Sequence, residues 1–362
     1  MKKINLTIIF ILFTKISLFA QNESLTELSK RFLDTVQTNA YLAKNVNWDS
    51  IRPIVLEKAS KIEDPNKLLP VFNDVISGLN DLHSSVIFNK YVDGQPSEKS
   101  MIEKLMKMSD KDLGFKPKHF DHRMIDNKYA YINIPAVMSE HGNYIDTMPN
   151  QISFLDSKKP KAWIIDLTEN HGGSYLPMIW NLYNLIDKNH NFSMHHANGN
   201  EKLQEVVFNN DTEDETMRLF FDVFDLKNKK PYKIKNNKVP IIVLTSNLTA
   251  SSGEIMTAFF LGQKNVRVIG QRTMGMTTGN DAIKLNNSFV INLAIATFKD
   301  RKGKIYEIGE SISPDILIDF DFKKHAKTGE KINLELAEKI LIENKDPFIK
   351  KAIQVIENGG NS

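Results

Sequence analysis

The sequence predicts an α/β protein in which a helical N-terminal region precedes a core of alternating strands and helices. Between residues 24 and about 108 the apolar residues recur at helical spacing, whereas from Lys128 onward short β-branched runs alternate with helical segments. The 362 residues contain no cysteine, so neither a disulfide nor a lipid-modified cysteine is possible. The fold must therefore be held by its apolar core.

The first twenty residues have the layout of a secretory signal peptide, with two lysines, an apolar run and a cleavage position after Ala20. Lys15 interrupts the run, which favours this interpretation over the alternative, an uncleaved membrane anchor. Cleavage would reduce Lys plus Arg from 47 to 44 against 44 Asp plus Glu. A neutral mature chain gives no electrostatic reason to expect nucleic acid or an anionic membrane as a partner, and no stable membrane insertion is expected after signal cleavage. We therefore expect an exported protein, periplasmic or extracellular.

We divide the rest into an N-terminal helical cap domain at residues 21–115, a core domain at residues 116–325 and C-terminal helices at residues 326–362. Within the cap, His83 lies in Asp81-Leu82-His83-Ser84, between the end of a helix and a strand-like run. Such a junction can present a reactive side chain, although a lone histidine is more often a packing or capping residue.

The core contains strands predicted at residues 129–134, 162–167 and 239–244, which are apolar enough to lie inside a parallel sheet. The second of these runs into a helix through a turn that contains Gly172 and Gly173. Two glycines there either allow a tight turn or let backbone N–H groups approach a reacting oxygen. The turn lacks the lysine of a phosphate loop and the spacing of a dinucleotide fingerprint, so no such cofactor is expected.

The third strand also runs into a helix, and Ser251 and Ser252 stand at the junction. A hydroxyl at the N-terminus of a helix lies close to unpaired N–H groups that favour a developing negative charge. A nucleophile would suit this place. From this stretch alone, the commoner alternative is that Thr249, Ser251 or Ser252 caps the helix.

The remaining segments complete the predicted architecture. Residues 189–238 are predicted to form a polar, irregular surface insertion with one helix, and the His195-His196 pair in it has no obvious third ligand for a metal. Residues 282–285 and 289–298 read as an antiparallel strand pair. One or two helices are predicted over residues 334–357.

Four motifs in this order resemble the tail-specific, or C-terminal-processing, serine peptidases and their relatives, the tricorn core domain, retinoid-binding-protein repeats and nisin-resistance protease. The motifs are YAYINIPAV, WIIDLTENHGG, LTASSGEIM, and RTMGMTTG followed by GESISPDI, and together they span residues 129–319. The resemblance implies a Clp-protease/crotonase-like core of stacked ββα units. It further implies that Ser251 is the nucleophile and that backbone amides of Ser252 and of Gly172 and Gly173 form the oxyanion hole.

Two departures from the family pattern concern the general base and the glycine turn. Met276 stands where the peptidases with a Ser-Lys dyad have their lysine, and methionine cannot accept a proton. The tricorn and nisin-resistance branch uses a histidine from a D-x-H-[ST] segment, which His83 matches. Glu307 is the candidate third residue, with Glu310, Asp81 or no acid as alternatives. Thr168 replaces the family's arginine beside the glycine turn.

The resemblance therefore implies a serine endopeptidase without cofactor or metal, acting on a peptide or protein substrate near its C-terminal end. The alternative is an exported peptide- or ligand-binding protein of the same fold that has lost hydrolysis. Met276 favours the binding protein, whereas the serine and histidine motifs favour the enzyme.

Overall fold

The computed structural model describes residues 23–88, 98–114, 116, 118–137, 141–188, 192–197, 199, 201–203 and 215–359. The predicted signal peptide, residues 1–20, lies outside the described residues. The helices are α1 (Leu25–Asn39), α2 (Trp48–Ser60), α3 (Leu68–Ser77), α4 (Glu98–Lys107), α5 (Met148–Ser157), α6 (Leu176–Leu182), α7 (Glu215–Val223), α8 (Ser252–Phe260), α9 (Leu334–Glu343) and α10 (Asp346–Glu357). The strands are β1 (Ser85–Phe88), β2 (His122–Ile125), β3 (Tyr129–Asn133), β4 (Ala162–Asp166), β5 (Ser193–His196), β6 (Glu201–Leu203), β7 (Ile241–Thr245), β8 (Val266–Gly270), β9 (Thr278–Lys284), β10 (Phe289–Lys299) and β11 (Ile316–Leu317).

The described residues form two compact units. The first contains residues up to 80, residues 84–93 and residues 281–293, and the second contains residues 81–83, 94–280 and 294–362, in each case as far as they are described. The predicted domain boundaries at residues 115 and 325 stay a prediction.

The first unit packs helices α1 and α3 against a strand pair. β1 runs antiparallel to the first residues of β10. Phe72 stacks on Phe32 with ring centroids 4.0 Å apart and meets Phe289 edge-on at 5.5 Å. These rings are fully buried, so the apolar faces predicted from the helical spacing do form the core of this unit.

The second unit is built on a six-stranded sheet in the order β11-β8-β7-β4-β3-β2, parallel except for the antiparallel β2–β3 pair. Every residue of β3, β4 and β7 is buried. A strand buried on both faces needs apolar side chains at consecutive positions, which is the pattern in the sequence.

Helices cover both faces of this sheet. Trp163 and Ile165 of β4 face a cluster that includes residues of α5, α6 and α8. Ala162 and Ile164, which alternate with them, face a second cluster that includes residues of α9 and α10. Because consecutive strand residues point to opposite faces, the C-terminal helices complete the core rather than extend from it.

The α/β fold class with an N-terminal helical region is confirmed, and so are the two C-terminal helices. The stretch at residues 189–238 was predicted as irregular apart from one helix, and this was wrong for β5 and β6. β5 pairs with the second half of the long strand β10, and β6 pairs with β5. The edge of a strand has unpaired backbone N–H and C=O groups with which a further strand can pair. In the described part of the chain, no helix has the length and apolarity that crossing a membrane requires.

Candidate functional site

The turn between β7 and α8 holds Ser251 in a backbone conformation that side-chain-bearing residues rarely adopt. Ser251 is the N-cap residue of α8, with φ 51° and ψ −119°. Such a conformation costs on the order of 1–3 kcal/mol and persists only where the surroundings enforce it. Strained residues of this kind cluster at functional sites. The hydroxyl consequently stands at the positive end of the helix dipole.

The structure distinguishes the two neighbouring serines. Ser251 is partly exposed, whereas Ser252 is buried and its hydroxyl donates a hydrogen bond to the Gly173 carbonyl. Thr249 is buried as well, and its hydroxyl donates to the carbonyl of Leu167 at 2.8 Å. Ser251 is therefore the accessible hydroxyl of the turn.

The glycine turn after β4 lies directly against Ser251. Gly172 and Gly173 have φ values of 116° and 95°, in the region that favours glycine. A Cβ atom on Gly172 would stand 2.8 Å from Ser251 Cβ and 3.2 Å from Ser251 Oγ. Only glycine allows the two turns to approach this closely.

Two backbone N–H groups at this junction have no hydrogen-bond acceptor among the described residues. In the described residues, no hydrogen bond uses the N–H of Gly173 or the N–H of Ser252. The N–H of Gly172, in contrast, donates to Asn170 Oδ1 at 3.0 Å. Of the two glycines, Gly173 is therefore the candidate that can donate its N–H to an oxyanion. Gly172, which has no Cβ, leaves room for Ser251.

Asn170 joins the two turns and was not singled out from the sequence. Its buried side-chain amide donates to the carbonyl of Ile134 at 3.0 Å. The backbone carbonyl of Asn170 accepts the Ala250 N–H at 2.9 Å. A Cβ on Gly253 would stand 2.5 Å from the same carbonyl. The asparagine in the motif DLTENHGG was the signal that could have identified it.

A buried carboxylate anchors the loop that follows β8. Glu254 Oε2 accepts the Ser251 N–H at 3.0 Å, and Oε1 accepts the Gly275 N–H at 2.9 Å and the Thr273 hydroxyl. Burial raises the pKa of Glu254 to about 7, against the opposing effect of these donors and of the Met276 N–H. One carboxylate therefore links the serine turn to the glycine-rich loop.

The same loop leads into Thr278, which contacts His83. His83 Nδ1 and Thr278 Oγ1 are hydrogen-bonded. The backbone N–H of His83 donates to Asp81 Oδ1 at 3.0 Å. Burial lowers the pKa of His83 below its ordinary value, while the charge of Asp81 acts in the opposite direction. The residues Asp81–His83 belong to the same compact unit as Ser251. A neutral imidazole in this unit is able to accept a proton at neutral pH.

The predicted third residue, Glu307, is exposed. Its N–H donates to Glu310 Oε2 at 3.1 Å, and Glu310 itself pairs with Lys304 at 2.5 Å. The Glu310 carboxylate thus has partners of its own, and the hydrogen bond of the His83 ring is made to Thr278 Oγ1. The catalytic role of Glu307 stays a prediction.

A buried ionic cluster braces the glycine turn from the C-terminal helices. Lys345 Nζ lies 2.8 Å from Asp166 Oδ2 and also contacts Glu169. Asp166 further accepts hydrogen bonds from the Tyr131 hydroxyl at 2.5 Å and the Thr168 hydroxyl at 2.6 Å. Burial acts to raise the pKa of Asp166, but Lys345 and these donors hold it below its ordinary value. Lys345 thus supplies a cation beside the turn where Thr168 replaces arginine.

A cavity of about 840 Å³ opens beside the glycine turn, large enough for a small ligand or a few residues of peptide. Its lining includes Glu169 and His171 from the turn and several residues of α9. His171 Nδ1 lies 2.9 Å from Glu338 across it. Among the residues that the structure describes, no group of three or more potential metal ligands occurs.

The comparisons with known proteins agree with the motifs. The profile of peptidase family S41 matches residues 128–318. The nisin-resistance protein of Lactococcus lactis subsp. lactis is 26% identical over 275 residues, which cover 74% of this chain and 76% of that protein. The carboxy-terminal processing protease CtpA of Bacillus subtilis (strain 168) is 27% identical over 230 residues, 60% of this chain but only 43% of CtpA.

Solved structures show the same fold. A lipoprotein from Streptococcus agalactiae superposes with a TM-score of 0.65 at 21% identity, covering 84% of this chain and 95% of that one. The photosystem II D1 C-terminal processing protease superposes with a TM-score of 0.54 at 11% identity, covering 88% and 97%. The resemblance inferred from the four motifs is confirmed.

Proposed function

The chain belongs to peptidase family S41, and from this premise we propose that it is an exported serine endopeptidase with a Ser-His mechanism. Ser251 attacks the peptide carbonyl, and His83 removes its proton and then delivers it to the leaving amine. The N–H groups of Gly173 and Ser252 hold the oxyanion of the tetrahedral intermediate.

The observation that carries this proposal is a strained, accessible serine beside the N–H groups of Gly173 and Ser252, which have no acceptor among the described residues. A purely structural cap would have no need of a positive φ at Ser251 or of a glycine pressed against its Cβ. Donors that are fixed before the reaction stabilise developing charge without reorganising, which is the largest contribution in many acyl-transfer sites.

We propose that the substrates are the C-terminal parts of peptides or unfolded proteins. The similarity to a carboxy-terminal processing protease supports this substrate class. Export to the periplasm or the extracellular space is supported by the signal-peptide layout of residues 1–20.

Replacing Ser251 with alanine tests the proposal. We expect the Ser251→Ala variant to lose cleavage of a peptide library by at least about 10⁴-fold, because the neighbouring hydroxyls of Thr249 and Ser252 are buried and bonded to backbone carbonyls. Ser252→Ala removes only a hydroxyl that is bonded to a backbone carbonyl, so it serves as the matched control and should retain most of the rate. Cleavage by Ser251→Ala at the wild-type rate would refute the assignment.

The non-catalytic alternative is separated from the enzyme by covalent labelling. A fluorophosphonate probe should label the wild-type chain and fail to label Ser251→Ala, because only an activated serine is phosphonylated. If peptides bind with unchanged affinity to both proteins and neither is labelled nor cleaves, the chain is a binding protein that kept the fold.

The low pKa of the His83 imidazole sets an expected pH dependence. The base must be neutral, so kcat/KM should rise with pH through a midpoint below about 6.5 and be level across neutral pH. His83→Ala should lose both this acidic limb and most of the rate. A limb that persists unchanged in His83→Ala would assign the titration to another group.

A further inference from the structure

We propose that Thr278 and Asn280 position the His83 imidazole and hold its proton on Nδ1, in the place where an acid usually stands. The inference rests on the proposed role of His83 as the general base. It is carried by a closed set of hydrogen bonds. His83 Nδ1 contacts Thr278 Oγ1, Thr278 Oγ1 donates to Asn280 Oδ1 at 2.6 Å, and Asn280 Nδ2 lies 3.5 Å from the His83 carbonyl oxygen.

The protons in this set can be counted. A threonine hydroxyl has one proton, and here it is donated to Asn280 Oδ1. The orientation of the asparagine amide follows from its NH₂ group, which faces the backbone carbonyl of His83. Thr278 Oγ1 therefore offers only a lone pair to the ring, and Nδ1 of His83 must supply the hydrogen.

A neutral imidazole with its proton on Nδ1 has its lone pair on Nε2. The tautomer in turn decides which ring nitrogen can accept the proton of a nucleophile. Glu307 is exposed and Glu310 pairs with Lys304, whereas Thr278 is buried and contacts the ring. The orienting group is thus a hydroxyl fixed by an amide, and it brings no negative charge to the site.

Replacing Thr278 with valine tests the proposal because valine keeps the shape and removes the hydroxyl. We expect kcat to fall about 10- to 100-fold with KM unchanged, since the imidazole loses its preferred tautomer but substrate contacts remain. Thr278→Ser, which restores a hydroxyl, should recover most of kcat. Asn280→Ala should lower kcat in the same direction by a smaller factor.

The adjacent residue provides a matched control. Thr277 is equally buried, but its hydroxyl donates to the backbone carbonyls of Glu307 and Glu310 at 3.2 and 3.3 Å. Thr277→Val should therefore change thermal stability without changing the tautomer of His83. If Thr277→Val and Thr278→Val lower kcat equally and serine does not rescue position 278, the role is structural and the proposal fails.

The tautomer can be observed without substrate. In ¹⁵N-histidine-labelled protein, the His83 signals are assigned among the nine histidines by their loss in His83→Ala. We expect the proton on Nδ1 in the wild type and a shift towards Nε2 in Thr278→Val. If the wild-type protein cleaves no peptide but the proton still shifts in Thr278→Val, the positioning role is supported and the proposed function is refuted. An unchanged tautomer in Thr278→Val would overturn the inference.

Discussion

Alanine at position 172 should lower kcat/KM by at least about 100-fold, since a displacement of the nucleophile on the order of 1 Å is enough for such a loss. The added Cβ would stand 2.8 Å from Ser251 Cβ, closer than atoms of this kind approach. One of the two turns must shift, and with it either the hydroxyl or the Gly173 amide. Peptide cleavage by Gly172→Ala, measured together with its thermal stability, checks the prediction.

Gly303→Ala is the matched control for this loss. Gly303 also has a positive φ, 87°, but an added Cβ there would meet nothing within 4 Å. Both variants carry the backbone strain of a non-glycine residue at positive φ, and only one disturbs the serine. Equal losses of stability with wild-type cleavage by Gly172→Ala would show that the contact with Ser251 has no catalytic consequence.

Lys345→Met should destabilise the protein by about 3–5 kcal/mol, the range found when one partner of a buried ion pair is removed. Lys345 is 8% exposed, and Asp166 and Glu169 beside it are 1% and 5% exposed. Without the cation, two buried carboxylates repel each other next to the glycine turn. Urea unfolding at neutral pH measures the difference in the free energy of unfolding.

The loss in the free energy of unfolding caused by Lys345→Met should also depend on pH. In the wild type the pKa of Asp166 is held below its ordinary value, so its contribution is present at neutral pH and is lost as pH falls through that low pKa. Without Lys345 the pKa of Asp166 loses the charge that lowers it, so the carboxyl takes up its proton at higher pH and the loss of stability should shrink as pH falls towards about 4. Lys350→Met, in the helix α10 that Lys345 immediately precedes but with an exposed ion pair, is the control and should unfold like the wild type. A deficit that stays constant with pH would mean that lost packing, not charge, destabilises the variant.

Much of the site could be predicted from sequence because it depends on local patterns. The apolar runs at β4 and β7 each lead into a helix through a turn, and the ends of parallel strands meet at one edge of a sheet. This pattern predicts Gly172, Gly173 and the pair Ser251 and Ser252, whereas the choice of Ser251 as nucleophile rests on the resemblance of LTASSGEIM to the family motif.

The contacts that complete the site could not be predicted in the same way, since they join residues far apart in the chain. The strand-and-turn pattern alone does not distinguish Ser251 from Ser252, whereas in the structure the Ser252 hydroxyl is bonded to the Gly173 carbonyl and that of Ser251 is partly exposed. Likewise, Thr278 lies 195 positions after the imidazole that it contacts. Glu307 is suggested by its place near the glutamate of the tricorn-like branch, and a motif position does not reveal that the side chain is exposed.

The ion pairs of Lys345 with Asp166 and Glu169 join residues that are far apart in the chain. Lys345 is synthesised 179 positions after Asp166, so the carboxylates stay without their cation while all the intervening chain is made. Contacts between such distant positions form late, because the long loop between them must close first. A nascent chain can therefore contain Ser251, His83 and both glycines before the cation that pairs with Asp166 beside the glycine turn has been made.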